Sequence, residues 1–129
     1  MIALDASLLI AHFDPADAHH GAASQLLDDV ATEPLIAHGL TLAEVLDGGV
    51  RVNRGTQLLA DLHSIGVQLA PRDDGEPLRL AVLRVGTGLR LPDCCVLDIA
   101  LGNGATLATF DDRLARAASR LNVTVIPMV

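Results

Sequence analysis

The chain has no lysine: all nine of its basic residues are arginine, against 16 acidic ones, giving a net charge of −7 over 129 residues. The field of the whole molecule therefore repels polyanions, and any contact with nucleic acid has to be local, through arginines, metal ions or both. Cysteine is nearly absent as well, with only the neighbours Cys94 and Cys95. Adjacent cysteines bridge each other poorly, and there are no others for a disulfide framework or a zinc site, so both are expected as small core residues of a helix. No apolar run approaches the roughly 18 residues of a spanning helix. The N-terminus also lacks the basic stretch and cleavage site of a signal peptide, so a soluble cytoplasmic protein is expected. Repeats and low-complexity linkers are missing too. What is present is a chain that is 50% hydrophobic, enough for one domain, residues 1–129, around one core.

Read in order, strands and helices alternate. The apolar run Ile2–Leu4 predicts a strand, and Leu8 to Phe13 carry apolar residues at helical spacing. Asp14-Pro15 predicts the start of a second helix with Ala22, Ala23, Leu26, Leu27 and Val30 inward, and His19 and His20 on its solvated side. A second strand is expected over residues 33–38, followed by a helix that Thr41 and Glu44 would open as a capping box and Gly48-Gly49 would weaken or break. Residues 51–63 read as a further helix with Leu58, Leu59 and Leu62 inward, and residues 67–70 as a third strand. Beyond the loop at Pro71–Pro77, Asp73 or Asp74 is expected to cap a helix whose apolar side is Leu78, Leu80, Ala81, Leu83 and Val85. Another helix begins at Leu91-Pro92-Asp93 and closes at Gly102-Asn-Gly. A strand over 105–110, a helix over 113–121 and a strand over 123–127 complete the chain. The pattern implies an α/β fold, a three-layer sandwich around a mainly parallel sheet of about five strands.

Four acids recur at one kind of position. Asp5 ends the first strand, Glu44 lies on the helix after the second, Asp93 begins the helix before the fourth, and Asp111 ends the fourth. Strands one and four can be neighbours at the switch point of a doubly wound sheet, which would bring all four acids to its carboxyl edge. Each has a plainer reading as a helix cap. Together they would repel strongly and raise one another's pKa values unless a cation lay among them, which points to a divalent-metal site. An all-oxygen donor set favours Mg2+ or Mn2+ over zinc, since no His or Cys falls at ligand spacing nearby.

The Asp5-Ala-Ser motif, Glu44 in Thr-Leu-Ala-Glu-Val, Asp93 in Leu-Pro-Asp-Cys-Cys-Val-Leu-Asp-Ile-Ala and Asp111 in Ala-Thr-Leu-Ala-Thr-Phe-Asp-Asp-Arg-Leu-Ala together resemble a PIN domain. Within that family the compact form resembles VapC-type toxins of bacterial toxin–antitoxin pairs. The likeness spans nearly the whole chain and rests on the order and spacing of short motifs. It implies a Mg2+-dependent endoribonuclease, with Asp5, Glu44, Asp93 and Asp111 as its catalytic and metal-binding acids and Ser7 supporting them. Ala6 stands where Thr is frequent, and Asp112 competes with Asp111 for the last ligand position. Asp98, five residues beyond Asp93, is turned away around the helix, toward solvent or an arginine. Arg113, Arg116 and Arg120 share one helix face and are suited either to RNA phosphates or to pairing with nearby acids.

The resemblance further implies products with a 5′-phosphate and a 3′-hydroxyl, a cognate antitoxin protein, and a homodimer to which the Leu58, Leu59 and Leu62 face could contribute. A receiver-like signalling domain and a haloacid-dehalogenase-type phosphotransferase share the sheet class, but both use a lysine that this chain lacks. A non-enzymatic acidic α/β interaction module, its acids serving only as caps, is the remaining alternative.

Overall fold

Ile2 and Leu4 point to one side of a sheet and Ala3 to the other, and none of the three is more than 2% exposed. A strand buried on both faces cannot alternate polar with apolar residues, which is why β1 (Ile2–Leu4) is a continuous apolar run. The computed structural model describes residues 1–128. β2 (Leu35–Ala37) and β4 (Thr106–Ala108) flank β1 in parallel, with Ile2 opposite Leu35 on one side and Thr106 on the other. β3 (Val67–Leu69) and β5 (Val125–Ile126) complete a parallel sheet of order β3-β2-β1-β4-β5. The chain winds outward from β1 to β3 and then crosses to β4, so its switch point lies between β1 and β4, where the sequence placed it.

Helices cover both faces. On one lie α1 (Ala6–Phe13), α2 (His20–Asp29), α3 (Gly39–Arg51) and α4 (Gly55–Ser64), whose Leu8, Leu9, Leu26, Leu42 and Leu62 pack with Ile2 and Leu4. On the other lie α5 (Glu76–Thr87), α6 (Leu91–Asn103) and α7 (Asp112–Arg120), where Leu97, Leu107 and Leu114 are fully buried. Burying one such leucine stabilises the fold by about 1.5–3 kcal/mol. Cys94 and Cys95 are free and buried in α6, as expected. No described helix is long and apolar enough to cross a membrane.

Several local expectations change. Asp14 and Asp17 accept hydrogen bonds from the backbone N–H groups of Ala16 and His19, holding turns that delay α2 until His20. Gly48-Gly49 does not break α3, because the missing side chain is what brings α4 close: a Cβ on Gly49 would stand 3.0 Å from the Leu58 side chain. α3 instead ends at Arg51, and Asn53 in a left-handed conformation (φ 59°) turns the chain into α4. Leu62 is fully buried and Leu58 half-buried, while Leu59 is exposed, so these leucines serve mainly the core. On α5 the expected apolar side is displaced: Leu80 and Leu83 pack inward, whereas Leu78, Val82 and Val85 are 72%, 64% and 88% exposed. Neither Asp73 nor Asp74 caps α5; Gly75 holds that position, and Asp73 instead pairs with Arg79.

Candidate functional site

Asp5 leaves the carboxyl end of β1 and is only 6% exposed. It occupies the N-cap position of α1 but makes no capping bond. Its Oδ2 instead accepts from two hydroxyls, Ser7 Oγ and Thr109 Oγ1, each at 2.7 Å. Those hydroxyl oxygens accept in turn from the backbone N–H groups of Phe110 (3.0 Å) and Asp111 (2.9 Å). A hydroxyl has one proton to give, so the backbone at the end of β4 fixes both hydroxyls and they fix the carboxylate. Among the described residues Oδ1 accepts no hydrogen bond, and since no buried polar side-chain atom among them lacks a partner, Oδ1 must open to solvent. Thr109 was not singled out in the sequence. Its signal there was modest: a threonine at the end of the fourth strand, two residues before Asp111.

Glu44 stands in the second turn of α3. The helix begins at Gly39, capped by His38, whose Nδ1 accepts from the Leu40 N–H at 3.0 Å. The capping box is therefore absent, with Thr41 buried inside the first turn and Glu44 not engaged in any cap. Glu44 keeps much of its surface exposed, yet burial of the rest, reinforced by the charges of Asp5 and Asp93, pushes its pKa above the usual carboxylate range against the pull of Arg90. Asp93 lies in the first turn of α6 behind an N-cap at Arg90, and it does not cap the helix either. Burial and then the charges of Asp111 and Asp5 raise its pKa, with Arg90 and Arg113 opposing them. Arg90 Nε is 3.8 Å from Asp93 Oδ2. Asp111 does cap α7: its Oδ1 accepts from the N–H groups of Arg113 and Leu114, leaving Oδ2 uncommitted.

The four acids thus form a chain of mutual repulsion along the carboxyl edge, Glu44 with Asp5 and Asp93, and Asp93 with Asp5 and Asp111. Asp112 points elsewhere, into a groove along α7 shared with Arg116, Arg120 and Asn122. Asp98 pairs with Arg79 at 2.9 Å, the arginine partner anticipated for it. Among the described residues no three His, Cys, Asp or Glu side chains close to the spacing of a complete metal cage. The arrangement is an open carboxylate rim with free oxygens on Asp5, Asp93 and Asp111. Mg2+ suits such a rim, because it retains several waters and takes only one or two carboxylates. Arg113 reaches over Gly88 (3.4 Å to its carbonyl), while Arg116 and Arg120 have no carboxylate within 4.0 Å among the described residues.

Residues 2–120 match the family model of the PIN domain. The chain belongs to the PIN domain family. Solved structures superpose over most of its length. Mycobacterium tuberculosis VapC20, a sarcin–ricin loop cleaving toxin, aligns with a TM-score of 0.74 at 19% identity, covering 91% of this chain and 95% of its own. VapBC2 from Rickettsia felis, bound to a DNA fragment from its promoter, aligns with a TM-score of 0.72 at 16% identity over 97% of each chain. PAE2754 from Pyrobaculum aerophilum gives 0.65 at 17% identity, over 97% of this chain and 88% of that one. At these identities the likeness is one of fold. No curated protein matches the chain in sequence. In this PIN domain the Asp5–Ser7–Thr109 network ties the first and last acidic motifs together.

Proposed function

We propose that residues 1–129 form a single PIN domain acting as a Mg2+-dependent endoribonuclease, the cytoplasmic toxin of a toxin–antitoxin pair. The observation that carries the reading is the set of four acids gathered at the switch point, each with at least one carboxylate oxygen unused by the fold among the described residues. Asp5, Glu44, Asp93 and Asp111 would hold one or two Mg2+ or Mn2+ ions. Bound there, the metal supplies Lewis acidity toward a phosphodiester oxygen and lowers the pKa of the attacking water.

The chain's own contributions follow from the geometry. Ser7 and Thr109 hold Asp5 in one orientation with Oδ1 toward the crevice. Glu44 is the acid we assign to accept the water's proton. Arg113 beside Asp93, and Arg116 and Arg120 without acid partners among the described residues, offer local cations to RNA phosphates that the net charge of −7 would otherwise repel. The toxin role is supported by the fold shared with VapC20 and VapBC2. A basic segment of a cognate antitoxin would find the acidic crevice complementary. A homodimer is supported by the exposed Leu78, Val82 and Val85 on α5 rather than by the α4 leucines, and Val82→Glu should then leave only monomer in sedimentation.

The test is cleavage of RNA in Mg2+. Activity should vanish in EDTA, return with Mn2+, and be abolished by Asp5→Asn with the fold intact. Cleavage that persists in chelator overturns the metal reading, and an absence of both tight Mn2+ binding and cleavage would favour the interaction module.

A further inference from the structure

We propose that the stacked rings of His19 and Phe110 form a platform on which one unpaired nucleobase of the RNA stacks, beside the acidic crevice. The inference rests on the nuclease reading above and assigns a base-binding position within it. Phe110 lies between Thr109 and Asp111, and its N–H donates to Ser7 Oγ, the hydroxyl that in turn donates to Asp5. The ring is therefore carried by the same backbone that orients the acids. His19 lies over it with ring centroids 4.5 Å apart and planes 13° from parallel. The chain has only two phenylalanines and no tyrosine or tryptophan, and one of its few aromatic rings is spent here.

Besides Phe110, the imidazole faces only the Asp17 carboxylate among the described ion pairs, with Nδ1 3.8 Å from Asp17 Oδ1 and so beyond hydrogen-bond reach. His19 holds the N-cap position of α2 without making a capping bond, and its side chain is 57% exposed, so the face away from Phe110 is open. The turn that presents it is fastened on both sides. Asp17 Oδ1 accepts from the His19 N–H at 2.8 Å, and the ring Nδ1 of His20 bonds the Ala11 carbonyl at 2.9 Å. A stacking surface held in place before binding loses little entropy when a base arrives. Every base presents a π face, and single-stranded RNA is commonly read by stacking on aromatic side chains, histidine included. Such a platform also suits an acidic protein, because it adds affinity without adding positive charge.

The experiment uses the full chain carrying Asp93→Asn, so that RNA is bound in Mg2+ but not cut. Single-stranded oligoribonucleotides carry 2-aminopurine at each position in turn, a base whose fluorescence is quenched by stacking. Quenching is expected at one position. Adding His19→Ala should abolish it and weaken binding by about 10-fold, while His19→Phe should restore both. With an abasic site at that position, the His19→Ala and His19-containing proteins should bind equally. Unchanged affinity and quenching in His19→Ala, with melting curves showing both proteins folded, overturn the platform while leaving the nuclease reading standing. Wild-type protein that neither binds nor cleaves RNA in Mg2+ overturns both.

Discussion

Thr109→Val tests the link between fold and site most directly, because it removes the hydroxyl's bonds to Asp5 and Asp111 and its 3.3 Å contact with Ser7 Oγ while changing almost no volume. Thr109 is 4% exposed; its hydroxyl donates to Asp5 Oδ2 at 2.7 Å and accepts from the Asp111 N–H at 2.9 Å. A hydrogen bond to a charged group contributes about 1.5–3 kcal/mol, and a buried N–H left without a partner costs about 1–3 kcal/mol. Valine fills the same space, so no cavity adds to the loss. The two effects overlap, since both arise from one hydroxyl, and together they destabilise the protein by about 3 kcal/mol. For a chain of this size that lowers the melting temperature by roughly 10 °C. Thr109→Ser keeps the hydroxyl and gives up one methyl group, a cost of about 1 kcal/mol. Thermal melts of the three proteins in chelator should therefore order wild type, Ser, Val. Mn2+ affinity by calorimetry should fall about 10- to 100-fold in the Val variant alone, as expected when a group that orients a ligand is removed. A Val variant that melts with wild type, or a Ser variant as damaged as Val, would refute the network as the device that sets Asp5.

Asp93→Asn should raise the melting temperature at pH 7 in chelator, and the gain should disappear as pH falls toward about 4. A carboxylate whose folded pKa lies above its unfolded one costs stability once pH rises through the folded value, and burial with Asp111 and Asp5 places Asp93 in that class. Glu76→Gln should show the opposite sign. Burial pushes Glu76 up, but bonds from Arg72 and His38 outweigh it and hold its pKa low, so its stabilisation is present above the ordinary glutamate range and lost as pH falls through the folded value. The variant should melt below wild type at neutral pH, with the gap closing below about pH 4; an equal gap at every pH would point to packing alone. Replacing Arg116 and Arg120 by Ala should weaken RNA binding for all sequences alike and reduce the salt slope by about 0.7 per arginine, whereas an unchanged slope would remove them from the RNA path.

The centre of the sheet was legible in the sequence because β1 and β2 are buried throughout and therefore appear as short apolar runs between turn residues. The neighbouring of β1 and β4 followed from handedness and winding alone. Helix boundaries were less legible, since they are set by competitions that composition does not rank. Pro15 suits a first helical turn, but Asp14 and Asp17 capture the local N–H groups and the helix waits for His20. Gly48-Gly49 suits a break, but close packing of α3 on α4 needs a position without a side chain. On α5 the periodicity named apolar residues correctly without revealing which stripe would face inward, and Leu78 and Val85 were left outside. Thr109 and His19 were hidden for another reason: their contacts, with Asp5 and with Phe110, join segments roughly 100 and 90 residues apart in the chain.

The caps bear on the two readings of the acids. In the sequence each acid could be explained as a helix N-terminus satisfying its own orphan N–H groups, and four such explanations together would leave no site. The fold withdraws three of them. Asp5 sits at an N-cap but gives its bonded oxygen to two hydroxyls, Glu44 is released because His38 caps α3 three residues before Thr41, and Asp93 falls inside α6 behind Arg90. Only Asp111 caps, and it does so with one oxygen. A caps-only protein would have no reason to place acids where their charges help raise the pKa values of Glu44 and Asp93, since that arrangement costs stability at neutral pH. Binding something positive at the same edge would offset that cost, which is what the proposed metal-dependent nuclease requires.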